Sequence, residues 1–231
     1  MRPTLDVEVV VIDVLGTLVD QPRGLRTALH DVLPDASEES VRALARGWEE
    51  HVETQQLLVA ARRRDYVDSD VLDAEAARQV ATSAGITDAD AVAHLATYAQ
   101  RLPAWEDTVH GLDLLAGRFP VVALSNASSA SLLRLDAHAG LRWHHTASSE
   151  SVGAYKPDPA IYRHALAVAR CEPDRALMVA AHAWDLRGAR DVGMSTAYVD
   201  RPVGDPPTTD DDFDLAVGGL VELAVALGAP R

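Results

Sequence analysis

Polar residues with complementary charge stand where several apolar runs of the sequence end. Asp13 closes the run VEVVVID, Ser125 and Asn126 end the run VVALSN, and Asp185 follows the run ALMVAA. Lys156, the single lysine of the chain, stands in the loop-like segment KPDP. A carboxylate at the end of a buried strand is costly unless a cation or hydrogen-bond donors meet it. Asp13 therefore needs Lys156 or a ring of donors, and the alternative is that it only accepts N–H bonds from its own turn.

The elements that must position these residues alternate along the chain. Apolar, β-branched runs predict buried parallel strands at 7–13, 121–125, 176–181 and 195–199. Helix-like segments precede the later runs or follow them, at 108–118, 159–170 and 185–192. This alternation predicts an α/β fold with a Rossmann-like doubly wound parallel sheet. Ligands bind such sheets at the carboxyl ends of the strands, so the polar residues should meet at one edge.

A different pattern occupies residues 20–101. This stretch is rich in Ala, Leu, Glu and Arg, and its apolar residues recur at three-to-four spacing, as in Val41, Leu44, Ala45 and Trp48. Several helices inserted after the first strand would lie above its carboxyl end and could close over a site. We predict a catalytic core of residues 1–19 and 102–231 and a helical cap of residues 20–101. Residues 202–214 predict a solvated loop before a last helix at 221–227.

Composition excludes several classes of protein. The 231 residues are 48% hydrophobic, which is ample for a packed core, yet no apolar run approaches the roughly 20 residues of a membrane span. Arg2, Asp6 and Glu8 stand where a signal peptide would be apolar, so we expect a soluble cytoplasmic protein. Cys171 alone excludes an internal disulfide. A net charge of −14 argues against nucleic acid, and the arginines at 62–64 are interpreted as a solvated helix face.

Four segments in order resemble the motifs of the haloacid dehalogenase superfamily. They are DVLGTLVD at 13–20, LSNAS at 124–128, YKPDPAIY at 155–162 and AWDLRGA at 183–189. The resemblance covers nearly the whole chain and is closer to the type II (L-)2-haloacid dehalogenases. It implies the Rossmann-like core with a helical cap, hydrolysis of a small-molecule carboxylic acid, and a homodimer.

The resemblance also implies a role for each motif residue. Asp13 would be the nucleophile, Lys156 and Ser125 would contact it or the substrate carboxylate, and Thr17 would support the first loop. Asp185 would orient and activate the hydrolytic water. A carboxylate of this kind attacks carbon or phosphorus and forms a covalent ester. The residues expected around the substrate are Leu15, Asn126, Tyr162, His182 and Trp184.

The absence of two acidic residues bears on whether Asp13 attacks a carbon atom or a phosphorus atom of the substrate. Phosphatases of the superfamily have an acid–base Asp where Leu15 stands, and usually an acidic Mg²⁺ ligand where Ala181 stands. Halide leaves unprotonated and needs no metal. We therefore expect a metal-independent 2-haloacid dehalogenase without cofactor. The alternatives are a phosphatase or phosphonatase with Mg²⁺ at Asp13 and Asp185, hydrolysis at another activated carbon such as a strained-ring acid, and a member without turnover.

The chain departs from the branch's pattern at several positions. The branch has Tyr where Leu15 stands, Ser where Ala180 stands and Asn where His182 stands. Its cap arginine, which steadies the departing halide, aligns without gaps with Glu49. Arg46 or the arginines at 62–64 would have to replace it.

His182, directly before the fourth segment, and Trp184 within it each have more than one interpretation. His182 is a donor near the substrate or a helper of Asp185 in activating water, with a backbone hydrogen bond as the alternative. Trp184 is a pocket wall or a core residue.

Overall fold

The structure is a computed structural model that describes residues 5–229. Within that range the strands are β1 (Val9–Asp13), β2 (Val121–Ser125), β3 (His145–Ser148), β4 (Ala176–Ala180), β5 (Ser195–Val199) and β6 (Leu215–Val217). All neighbouring strands pair in parallel, in the order β3-β2-β1-β4-β5-β6. The predicted α/β class with a doubly wound parallel sheet is confirmed.

The helices fall into two groups. Directly after β1 come α1 (Gln21–Val32), α2 (Glu38–Ala60), α3 (Ser69–Ala84) and α4 (Ala89–Ala96). Along the sheet lie α5 (Thr108–Ala116), α6 (Ser129–Ala139), α7 (Pro159–Ala169), α8 (Ala183–Asp191) and α9 (Leu220–Ala226). Side-chain caps fix several starts: Ser37 accepts from the Ser40 N–H before α2, and Asp68 accepts from the Val71 N–H before α3.

Both faces of the sheet are covered, which explains the uninterrupted apolar runs. Val10 and Ile12 of β1 point into the layer formed with α5, α6 and α9, whereas Val9 and Val11 point toward α7 and α8. The first of these two layers is continuous with the buried residues of α1, α2 and α4. The helices between β1 and β2 therefore share a hydrophobic core with one face of the sheet.

Several boundaries differ from the sequence predictions. Strand β1 begins at Val9 rather than at residue 7, and the short strand β6 was not predicted. Helix α2 ends at Ala60, so the arginines at 62–64 follow in a turn and do not form a helix face. Arg64 there pairs with Glu75, at 2.7 Å between Nη2 and Oε1. In the described range, no helix combines the length and apolarity that a membrane crossing requires.

Candidate active site

Asp13 ends the central strand β1 and is held on both carboxylate oxygens. Its Oδ2 accepts from Thr17 Oγ1 at 2.6 Å, and its Oδ1 accepts from Lys156 Nζ at 2.5 Å. Thr17 also accepts from the Ala181 N–H at 2.9 Å, which ties the loop after β1 to the end of β4. Asp13 is only 3% exposed, so these partners provide the compensation that a buried carboxylate needs.

Lys156 joins the two buried aspartates of the site. Its Nζ donates to Asp13 and, at 2.6 Å, to Asp185 Oδ2, and the Leu124 carbonyl lies at 3.4 Å. Burial alone would lower the pKa of Lys156, but the two carboxylates outweigh burial and raise that pKa. Its backbone N–H donates to Asn126 Oδ1 at 2.8 Å, which fixes the loop that carries it. The ammonium is therefore fully engaged by the protein.

Asp185, in the first turn of α8, lies behind Lys156. It is fully buried, and its Oδ1 accepts from the Tyr162 hydroxyl at 2.6 Å. Burial raises the pKa of Asp185, while Lys156 and Tyr162 counteract that rise. Both carboxylate oxygens of Asp185 thus accept from protein donors. Neither Asp185 nor Tyr162 lines the cavity that opens beside Asp13. Tyr162 thus contacts Asp185 rather than the cavity, and the expected roles of Tyr162 beside the substrate and of Asp185 in activating water stay predictions.

A cavity of about 230 Å³ opens beside Asp13. Most residues predicted around the substrate line it, whereas Thr17 supports Asp13 from behind. The lining residues from the sheet edge are Asp13, Leu15, Ser125, Asn126, Ala127, Lys156, His182 and Trp184. Ser125 Oγ accepts from the Ala127 N–H at 3.1 Å, and this contact shapes the loop after β2.

The opposite wall was not predicted, apart from the position of Glu49. It comes mainly from the helices between β1 and β2, and consists of Gln21, Trp48, Glu49, Val52, Glu53, Gln56, Ser69, Asp73, Tyr98 and Ala99. Five of these residues, at 48, 49, 52, 53 and 56, have the spacing of one helix face. The spacing of these residues on one face of α2 was the only sequence signal for this wall. From the sequence alone, the same spacing indicates core packing. Trp48 is indeed 1% exposed and belongs to both core and cavity.

The wall contributed by the helices is acidic. Glu49, Glu53 and Asp73 line it, and none of the described lining residues is an arginine. Burial raises the pKa of Glu49, and Arg26 and Arg46 oppose that rise from outside the lining. Arg46, Arg62 and Arg63 are exposed and Arg64 is bound to Glu75, so none of the expected replacements for the cap arginine lines the cavity.

His182 connects the end of β4 to the loop after β1. Its Nε2 lies 3.1 Å from the Leu15 carbonyl, and because a carbonyl only accepts, Nε2 carries the proton. The same atom lies 3.9 Å from Asp13 Oδ2. Gly16 adopts φ +82°, and a Cβ there would lie 2.6 Å from His182 Nε2, so the contact requires glycine. The backbone hydrogen bond considered as an alternative for His182 is thus present.

Trp184 forms part of the cavity wall and contacts the charged groups of the site. Its ring centroid lies 5.8 Å from Lys156 Nζ and 5.7 Å from the centroid of the His182 ring. The indole is partly exposed and lines the cavity, as the pocket-wall interpretation predicts.

A divalent cation does not fit these residues. The point between Asp13 and Asp185 is held by the Lys156 ammonium, with a short contact to each carboxylate. Within residues 5–229, no group of three His, Cys, Asp or Glu side chains could hold a metal ion. Mg²⁺ requires near-octahedral oxygen ligation, which a bound ammonium at this point prevents.

Known proteins share this architecture. The model for haloacid dehalogenase-like hydrolases matches residues 7–193. The (S)-2-haloacid dehalogenase 2 of a Pseudomonas species is 31% identical over 112 residues, which are 48% of this chain and 49% of that protein, so the match spans about half of the relative. The phosphoserine phosphatase of Thermus thermophilus is 39% identical over 79 residues, 34% of this chain and 31% of that protein. The crystal structure of an L-2-haloacid dehalogenase has a TM-score of 0.87 and 28% identity, covering 96% of this chain and 100% of that one. Since the family model covers well over half of the sequence, this chain belongs to the haloacid dehalogenase-like hydrolase family.

Proposed function

We propose that this protein hydrolyses small 2-substituted carboxylic acids, most simply 2-haloacids, through an ester of Asp13. The observation that carries the proposal is the state of the Asp13 carboxylate. It is buried at the end of the central strand, held on both oxygens by Thr17 and Lys156, and borders a cavity with the apolar Leu15 beside it. A fixed carboxylate with no proton donor at Leu15 suits a leaving group that departs as an anion.

In the first step an oxygen of Asp13 attacks the carbon that bears the leaving group. The new carbon–oxygen bond forms as the carbon–halogen bond breaks, and the halide leaves with the bonding electron pair. Covalent catalysis of this type divides one difficult displacement into two easier steps. Thr17 and Lys156 restrict the carboxylate to one orientation, which lowers the entropic part of the barrier.

In the second step water attacks the ester carbonyl carbon of Asp13. The carbon–oxygen bond on the carbonyl side breaks, a 2-hydroxy acid leaves, and Asp13 is regenerated with one proton released. Lys156 lies against Asp13 Oδ1 and stabilises negative charge on the tetrahedral intermediate. We assign Asp185 the role of holding that ammonium, since both of its oxygens are occupied by Lys156 and Tyr162.

A Mg²⁺-dependent phosphatase is the second candidate, and the partial match to a phosphoserine phosphatase is the observation in its favour. The Lys156 ammonium between the two aspartates, and Leu15 and Ala181 where acidic residues would be needed, count against it. Phosphate release from an aryl phosphate that rises with Mg²⁺ and stops with chelator would establish this candidate instead.

The test begins with halide release across chloro-, bromo- and fluoro-carboxylates, with and without chelator. We expect release that chelator does not change, and complete loss of turnover in Asp13→Asn. The exposed Asp113→Asn serves as the matched control and should retain activity. In a single turnover in ¹⁸O water, the label should enter Asp13 and not the product, because water attacks the ester carbonyl. Label in the first product molecules would exclude the ester.

The family resemblance also leads us to propose a cytoplasmic homodimer. Light scattering of the purified protein measures the molar mass directly, and the mass of one 24.8 kDa chain would contradict the dimer.

A further inference from the structure

Four consecutive carbonyls after β1 are held by side chains from four separate positions in the chain. We call residues 14–18 the β1 loop. The carbonyls of residues 15–18 accept from His182 Nε2 at 3.1 Å, Trp105 Nε1 at 3.0 Å, Arg201 Nε at 2.9 Å and Thr108 Oγ1 at 2.8 Å, in that order. Such a series orients the backbone of the β1 loop residue by residue.

Arg201, two residues after β5, is the permanently charged donor of the series. Its side chain is 6% exposed, and its Nη1 donates to Asp107 Oδ1 at 2.7 Å. Asp107 also accepts from the Leu220 N–H, at 2.6 Å, at the start of α9. The guanidinium carbon lies 5.8 Å from the centroid of the Trp105 ring. Through Asp107, Arg201 thus links the β1 loop to the start of α9.

One nitrogen of Arg201 is unusual in its surroundings. Nη2 is buried and has no hydrogen-bond partner among the described residues. A buried donor without an acceptor costs free energy, so a purely structural role would be served as well by an apolar side chain of similar volume. What only arginine provides here is a planar guanidinium that donates to the Thr17 carbonyl and to the Asp107 carboxylate at the same time.

Thr17 connects this guanidinium to the reacting carboxylate. Arg201 holds the Thr17 carbonyl, and the hydroxyl of the same Thr17 donates to Asp13 Oδ2 at 2.6 Å. We propose that Arg201 is a positioning residue that fixes the orientation of Asp13 through Thr17. A kinetic test of this role rests on the proposed function, whereas a test by hydrogen exchange in the β1 loop does not.

The test compares Arg201→Met and Arg201→Lys with the wild type. Hydrogen exchange is read at the Gly16 and Leu18 amides of the β1 loop, which donate to the carbonyls of Val19 and Val14. We expect faster exchange there in both variants. With the 2-haloacid that releases halide fastest, we expect kcat to fall on the order of 100-fold with KM nearly unchanged, because Asp13 is misaligned rather than lost.

Arg101→Lys is the matched control. Arg101 is also partly buried and also donates to backbone carbonyls, those of Thr97 and His94, but it does not contact the β1 loop. It should leave kcat and β1 loop exchange unchanged. Wild-type exchange and wild-type kcat in folded Arg201→Lys would overturn the proposal. A wild type that releases no halide from any 2-haloacid would contradict the proposed function, and loop exchange alone would then decide the role of Arg201.

Discussion

Asp73 shows how the fold sets the charge of a single side chain. It lies in α3 and is 8% exposed, and its Oδ1 accepts from Trp48 Nε1 of α2 at 3.2 Å. Burial raises the pKa of Asp73 to about 8, more than the Trp48 hydrogen bond lowers it. The carboxyl is therefore neutral at pH 7. The acidic wall of the cavity consequently owes its charge to Glu49 and Glu53.

This raised pKa predicts a pH-dependent stability. Between pH 4 and pH 8 the unfolded chain releases the Asp73 proton while the folded protein keeps it, so the free energy of unfolding falls as pH rises. The slope from this one group is about 1.4 kcal/mol per pH unit. Asp73→Asn should remove that slope and make the protein more stable at pH 7 by a few kcal/mol.

Urea unfolding of wild type and Asp73→Asn at each pH from 5 to 8 measures the difference directly. The exposed Asp90→Asn is the control, and its stability should follow the wild type at every pH. A constant difference between wild type and Asp73→Asn across this range would show that Asp73 is ionised in the folded state.

At the scale of elements, α3 and α6 are joined beside the cavity. Asp70, in the first turn of α3, accepts through Oδ1 from Ser128 Oγ at 2.8 Å and from Ser131 Oγ at 2.7 Å. Ser69 Oγ, which lines the cavity, accepts from the Ser128 N–H at 2.8 Å. These bonds hold the helices after β1 against the loop that carries Asn126. The contact between α3 and α6 therefore positions both the cavity wall from the helices after β1 and the wall from the sheet edge.

We predict that Asp70→Ala weakens this contact. Loss of hydrogen bonds to a charged acceptor should cost about 1–3 kcal/mol of stability. A less fixed cavity wall should raise KM severalfold, while kcat changes less because Asp13 and its donors are untouched. Halide-release kinetics and urea unfolding measure the two effects. Asp90→Ala, in the first turn of α4, is the control and should change neither. An unchanged KM with full stability would contradict a role for this contact.

The sequence predicts elements better than contacts between them. Apolar runs identify β1, β2, β4 and β5, because strands that are covered on both faces are predominantly apolar. The strands β3 and β6 lie at the sheet edges and are short, as in HTAS, where the first residue is exposed. The short pattern of β6 gave no signal.

The same distinction applies to the site. Asp13, Lys156 and Asp185 are predictable because strand ends and the motifs place them at one edge of the sheet. Arg201 could have been found by applying the strand-end rule to β5 as well, since it follows Val199 by two residues. The wall of α2 could not be distinguished from core packing, because helical spacing is the same for both uses. The engagement of Asp185 by Tyr162 depends on tertiary packing and has no local signal.

At the scale of the whole molecule, charge opposes the entry of an anion. The chain has a net charge of −14 with histidine neutral. The cavity is negative as well, because the one cation among the described lining residues, Lys156, pairs with both Asp13 and Asp185, while Glu49 and Glu53 line the wall. A carboxylate substrate approaching Asp13 must therefore cross a region of negative potential. Repulsion of this kind slows association, and dissolved salt screens it.

This repulsion makes the rate with an anionic substrate depend on salt. For a 2-haloacid anion, kcat/KM should rise about threefold or more as salt increases from about 10 mM to 1 M, because the Debye length falls from about 30 Å to about 3 Å. The corresponding neutral 2-haloamide should show no such rise, and it also reports any direct inhibition by the salt. Glu49→Gln combined with Glu53→Gln should raise kcat/KM for the anion at low salt and flatten its salt dependence. A rate for the anion that falls with salt in the wild type, while the amide is unaffected, would show that the anion meets a positive potential at the cavity. A cation outside the acidic wall, such as Arg26 or Arg46 beside Glu49, would then control substrate entry.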